Sequence, residues 1–195
     1  MKILIIGFRC LGKTTLGKEL SKKYSVVDLD QEIISKAGKS IVEMTKNGLE
    51  WLEFRTLETE LLEGFLNNSE IQIIIAGGGT GVNSFQNFGQ RQSEIIQNSK
   101  NCKVVLLNTP IEILSERLLK DYQNPNSHRP ILHTPKNQHE INNPQVFEND
   151  QDRLKTDLEV YQSRLPKYKE LANYIITTTD LKEQIQKIET ILCQI

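Results

Sequence analysis

The sequence has only three cysteines, Cys10, Cys102 and Cys193, too scattered to form a disulfide framework or a zinc spacing. It also lacks an excess of charge of either sign: 24 Lys and Arg face 25 Asp and Glu. That balance argues against a nucleic-acid binder that works by neutralising phosphates along a basic face. No apolar run approaches the ~18–20 residues needed to cross a bilayer. The longest, Ile71 to Ala76, is strand-sized. The apolar start, Met1 to Ile6, is too short for a signal peptide and runs directly into a glycine-containing turn. The chain has neither internal repeats nor the N-K-x-D motif that reads guanine. With 37% hydrophobic residues it is too apolar for a disordered chain. The reading is a cytoplasmic globular protein of one domain, 1–195, expected to be a monomer that binds neither membrane nor nucleic acid.

Short, nearly continuous apolar runs recur at Ile3–Ile6, Val26–Val27, Ile71–Ile75, Val104–Leu107 and Tyr174–Thr177. Continuous rather than alternating apolar residues mark strands covered on both faces, as in a parallel sheet. Amphipathic stretches lie between them, at Thr14–Tyr24, Ser40–Asn67, Phe85–Asn98, Pro110–Asp121, Asp152–Ala172 and Leu181–Cys193. Alternation of this kind predicts an α/β fold, a doubly wound parallel five-stranded sheet flanked by helices. Residues 122–150 break the rhythm. Rich in Asn, Gln, His and Pro, they read as a functional flap or an irregular insertion.

The strongest motif is Gly7-Phe8-Arg9-Cys10-Leu11-Gly12-Lys13-Thr14, which fits the phosphate-loop pattern G-x-x-x-x-G-K-[ST] between a predicted strand and a predicted helix. Its two glycines permit a tight turn whose amides point at a polyphosphate, and the positive end of the following helix adds to the attraction. Lys13 should reach the β- and γ-phosphates and Thr14 should ligate Mg²⁺. Cys10, Leu11, Gly12, Lys13, Thr14 and Thr15 thus form the expected cradle for ATP. A short chain with one core and no switch segments points to a small-molecule kinase.

Five ordered features sharpen this reading. They are the phosphate loop, Asp28-Leu29-Asp30, Phe54-Arg55-Thr56-Leu57-Glu58, Gly77-Gly78-Gly79, and a late pair made of Arg129-Pro130 and Arg164-Leu165-Pro166-Lys167-Tyr168. In this order they resemble the shikimate kinases over nearly the whole chain. The resemblance implies a phosphate-loop fold like that of the nucleoside monophosphate kinases. It also implies a substrate-binding helical region at about 30–66 and a mobile lid at about 122–150. The implied reaction is the phosphorylation of shikimate by ATP with Mg²⁺, giving shikimate 3-phosphate and ADP.

Asp28 and Asp30 close the second predicted strand two residues apart, pointing from the same side of it toward the crevice at the strand ends. By resemblance, Asp28 takes the metal side, while Asp30 binds the substrate hydroxyls and serves as base. The alternative is that one of them, Asp30, merely caps a helix starting near Gln31. The resemblance has Arg55 and Arg164 grip the substrate carboxylate. On the residues alone, Arg55 is an exposed partner for Glu58 on the same helix face. Gly77, Gly78 and Gly79 are read as bringing their amides to the substrate and the transferred phosphoryl group. On its residues alone Arg129 is a solvated loop arginine; the resemblance implies instead a cation that swings over the phosphates on closure, and it implies that Arg117 flanks the adenine.

Three features depart from the family pattern. The residues before Phe54 are spaced differently from the usual Gly-Glu-x-x-Phe-Arg, the segment Leu132 to Asp152 looks inserted, and Cys10 stands where the family mostly has glycine. Beside Lys13 at a helix N-terminus, the Cys10 thiol is expected to have a lowered pKa; the plainer reading of the position is a small tolerated side chain. His128, His133 and His139 match no zinc pattern and are read as solvent-exposed. Two rival readings stay open: another small-molecule kinase, acting on gluconate or a nucleoside monophosphate, and a regulatory nucleotide binder without turnover.

Overall fold

Five strands form one sheet in the order β2-β3-β1-β4-β5: β1 (Lys2–Ile6), β2 (Val26–Asp28), β3 (Ile73–Ile75), β4 (Cys102–Leu107) and β5 (Tyr174–Ile176). The computed structural model describes residues 1–45, 50–125, 127, 129–132 and 147–194. Every strand pairing is parallel, and β1 is central, with Ile3 opposite Ile73 on one side and Lys103 on the other. Helices cover both faces, so Ile3, Leu4, Ile5 and Ile6 are fully buried. This is why the run reads as continuously apolar. Each such side chain contributes roughly 1.5–3 kcal/mol of hydrophobic stabilisation.

The helices are α1 (Lys13–Leu20), α2 (Leu29–Ala37), α3 (Ile41–Met44), α4 (Glu50–Asn67), α5 (Phe88–Asn98), α6 (Ile111–Tyr122), α7 (Asp150–Leu171) and α8 (Leu181–Gln194). A doubly wound five-stranded parallel sheet was expected and is found. The chain winds from β1 out to β2, back through β3, then crosses to β4 on the far side of β1. That reversal opens a crevice at the carboxyl end of β1, where ligands bind in sheets of this kind.

Several boundaries differ from expectation. The strand expected over Ile71–Ile75 is shortened at its start to Ile73, and the helix expected from Phe85 begins at Phe88. The helix expected over Ser40–Asn67 is two helices, α3 and α4. Ser40 opens the first with a capping box, its hydroxyl accepting from the Glu43 amide while the Glu43 carboxylate accepts from the Ser40 amide. Residues 46–49, including the Gly48 of the altered spacing, lie outside the described residues. So do His128, His133 and His139, and most of the segment read as inserted. Its last residues are helical: Asn149 caps α7 by accepting from the amides of Gln151 and Asp152.

Apolar packing divides in two. The main cluster sheathes the sheet, and a smaller one joins Ile33 of α2, Met44 of α3, and Trp51 and Phe54 of α4. The smaller cluster, Trp51 included, holds the helical region together beside the crevice.

Candidate active site

The phosphate loop leaves β1 and enters α1 through three residues of positive φ: Gly7 at 143°, Cys10 at 62° and Gly12 at 86°. Gly12 is the N-cap and offers no side-chain cap, and the first turn of α1 contains no acidic residue. The amides of its first turn therefore have no cap or acidic residue within the helix, the arrangement that suits an anion. The Lys13 ammonium donates to the carbonyls of Gly7 at 2.7 Å and Phe8 at 2.8 Å. Burial pulls its pKa down to about 8, against the opposing pull of the Asp30 carboxylate.

Asp28 and Asp30 do not leave one strand together. Asp28 ends β2, but Asp30 already lies in the first turn of α2, and the capping residue is Asp28 rather than Asp30. Asp28 Oδ1 accepts from the Asp30 amide at 3.0 Å, while Oδ2 accepts from the Thr14 hydroxyl at 3.0 Å. Capping and contact with Thr14 are thus combined in one carboxylate, because its two oxygens serve different partners. Asp30 is pushed up to about pKa 6, first by burial, then by repulsion from Asp28 and Glu58, with Lys13 and Arg55 pulling the other way.

The three glycines after β3 matter for what they leave out. A Cβ on Gly77 would lie 2.7 Å from Asp30 Oδ1, and one on Gly79 would lie 2.8 Å from Arg55 Nη2. Absent side chains let an acid and an arginine press against the loop. The Gly78 carbonyl accepts from Arg164 Nη1 at 2.9 Å and from the Tyr168 hydroxyl at 2.7 Å.

Arg55 and Arg164 line the same cleft of about 480 Å³, together with Asp30, Glu58 and Gly77–Gly79. Arg55 does pair with Glu58, as its helix spacing allows, but the pair is buried rather than exposed: 2.6 Å, with side chains 5% and 0% accessible. The Arg55 guanidinium also lies over the rings of Trp51 at 5.2 Å and Phe54 at 4.8 Å. Arg164 pairs with no carboxylate among the described residues. Burial, together with repulsion from Arg55 and Arg9, lowers its pKa to about 10, which keeps it cationic at neutral pH.

A smaller hollow lies directly over the phosphate loop and shares Asp30, Gly78 and Arg129 with the large cleft. Arg129 is anchored there by Asp121, Nε to Oδ1 at 3.0 Å. A third hollow, on the other side of the loop, is lined by Arg117, Thr179, Leu181 and Gln184, with Arg117 donating to the Cys10 carbonyl at 3.4 Å. The expectation for the Cys10 thiol is overturned. Burial raises its pKa, outweighing the pull of Arg129, Arg9 and Lys13.

Several residues of the site escaped sequence reasoning. Glu58, seen only as a surface partner, accepts from Arg55 and also from Thr80 and Gln92. The i,i+3 spacing was the signal for it. Arg9, an unconstrained position of the phosphate-loop pattern, lines both clefts and pairs with Asp157 of α7. No local signal joins residues so far apart.

A phosphate loop opening onto a cleft of carboxylates and arginines, at the switch point of a parallel sheet, defines a phosphate-loop kinase of small molecules. The shikimate kinase family model matches residues 9–193. Shikimate kinase from Staphylococcus epidermidis is 32% identical over 97% of this chain and 92% of its own, and that from Xylella fastidiosa 28% over 97% and 89%. The solved shikimate kinase from Acinetobacter baumannii in complex with shikimate superposes with a TM-score of 0.70, at 25% identity, covering 99% of this chain and 93% of that one. The enzyme from Bacteroides thetaiotaomicron has the same fold, with a TM-score of 0.73, 24% identity and 98% of both chains covered. The chain belongs to the shikimate kinase family.

Proposed function

We propose the following division of labour for the phosphorylation of shikimate by ATP, the reaction of this family. The triphosphate lies on the free amides at the start of α1, with phosphate oxygens taking Lys13 from the carbonyls of Gly7 and Phe8. The adenine rests beside Arg117, in the hollow closed by Thr179, Leu181 and Gln184. Shikimate occupies the large cleft, its carboxylate on Arg55 and Arg164 and its reacting hydroxyl at Asp30, with the glycines forming one wall.

The hydroxyl oxygen attacks the γ-phosphorus, the bond to the β–γ bridging oxygen breaks, and ADP leaves with that electron pair. Asp30 accepts the hydroxyl proton. Lys13 and Arg129 stabilise the charge on the transferring group. Thr14 and Asp28 suit Mg²⁺: one hydroxyl and one carboxylate already in contact match an ion that takes few protein ligands and keeps its waters. When bound, the ion would neutralise charge on the β- and γ-phosphate oxygens. Residues 122–150 act as the lid that excludes water from the transfer. The same reading takes the protein as a single-domain cytoplasmic monomer.

One observation carries this reading. Asp30, Gly78 and Arg129 line both hollows, so the acceptor and the phosphate tail share a wall. A coupled ADP-release assay over shikimate, gluconate and nucleoside monophosphates tests it. Shikimate is expected to stimulate turnover; stimulation by another acceptor alone would overturn the substrate assignment.

A further inference from the structure

We infer that Arg9 is a positioning residue that latches Arg129-Pro130 to the phosphate loop. Its Nη2 donates to the Pro130 carbonyl at 2.6 Å, while Nη1 is held by Asp157 Oδ2 at 3.3 Å. Arg9 and Asp157 are 8% and 1% exposed. Burying such a pair costs desolvation that the attraction between the charges often fails to repay, so stability alone is a poor account of it.

The latch is braced from behind. The Tyr122 hydroxyl, at the end of α6, donates to the same Asp157 oxygen at 2.8 Å, and the Arg153 guanidinium lies 4.1 Å over the Tyr122 ring. With Asp157 fixed from two sides, the free arm of the Arg9 fork has one direction left, toward Pro130. Proline's ring restricts its φ, so holding its carbonyl also orients the backbone of the residue before it. That residue is Arg129, whose side chain is anchored separately to Asp121. Two attachments thus set Arg129 over the phosphate loop. A guanidinium reaches a carboxylate and a carbonyl together because its donors form a rigid planar fork; an ammonium presents a single point.

The inference rests on Arg129 stabilising the transferred phosphoryl group, and a double-mutant cycle separates the two claims. Single-turnover rates are measured for the wild type, Arg9→Met, Arg129→Ala and the double variant, with acceptor KM recorded alongside. Arg9→Met is expected to slow transfer by about tenfold or more, the scale of a small misplacement in a catalytic site. It should change acceptor KM by less than about threefold and be nearly silent in the Arg129→Ala background. Equal slowing in both backgrounds, or none while Arg129→Ala is impaired, overturns the latch and leaves Arg129 in place. An unimpaired Arg129→Ala overturns both. Should the Met variant fail to fold, Arg9→Lys runs the same cycle and is expected to behave as Met. Full activity in Lys would show that charge alone suffices and would also overturn the latch.

Discussion

Arg55 Nη1 and Glu58 Oε2 meet at 2.6 Å inside the large cleft, the site proposed for the acceptor. On a helix surface, a pair of this spacing stabilises by a few tenths of a kcal/mol. Buried, it also sorts the arginines. Glu58 pairs with Arg55, while Arg164 has no carboxylate partner among the described residues, which on the proposed reading leaves its charge for the acceptor.

Removing Glu58 leaves a buried guanidinium without its carboxylate and strips an acceptor from Thr80 and Gln92. Glu58→Ala is therefore expected to lower stability by about 3–5 kcal/mol, read as a fall in the urea midpoint. An unchanged midpoint would refute the structural weight given to the pair.

Arg164→Ala removes the unneutralised cation. Acceptor KM should rise by roughly 30- to 1,000-fold, the equivalent of ~2–4 kcal/mol for a charge-assisted bidentate contact. ATP affinity, measured by titration, should change little, because Arg164 does not line the hollow over the phosphate loop. If the acceptor KM stays put, Arg164 does not bind the substrate.

Asp30 makes the reaction and the fold pull in opposite directions with pH. In its proposed role as proton acceptor it must be ionised, so turnover should fall by about tenfold per unit as pH drops below its pKa of about 6. For stability the sign is reversed. Its folded pKa lies above the ordinary aspartate value of 3.8, so the favourable contribution is present below about pH 4 and lost as pH rises through 6. At pH 7 the ionised group is a liability. Asp30→Asn is expected to abolish turnover yet raise thermal stability, by about 1–2 kcal/mol. Loss of activity with a lowered melting temperature would contradict this.

Cys10 adopts φ of 62°, a conformation that costs non-glycine residues roughly 1–2 kcal/mol. Cys10→Gly relieves that strain but adds freedom to the unfolded chain, so a net gain of about 0.5–1 kcal/mol is expected in denaturant unfolding. Because burial raises its pKa, the Cys10 thiol should alkylate at neutral pH more slowly than the exposed Cys193, as peptide mapping after limited iodoacetamide treatment would show. Preferential labelling of Cys10 would reverse the assignment.

Local features read well from the chain. The strands were legible because full burial on both faces demands uninterrupted apolar residues, and β1 and β4 have them. Helix α2 was poorly legible, for it follows β2 without a break. The carboxylate that caps it, Asp28, is also the last residue of the strand. The Phe-Arg-x-x-Glu spacing revealed the Arg55–Glu58 contact, yet placed it on the surface, since spacing reports direction around a helix and not depth.

By itself the amino-acid order determined the parallel sheet, the phosphate loop between strand and helix, and the set of acids, glycines and arginines that signals a kinase of this family. All of these are written in neighbouring residues, through periodicity and short motifs. Only the tertiary structure decided which charges are matched: Arg55 by Glu58, Arg9 by Asp157 from 148 positions away, Arg164 by none described. It likewise decided that Cys10 titrates high and Asp30 near 6. The strength of a charge depends on how much water surrounds it and which opposite charge lies within a few ångströms, and both are settled by packing.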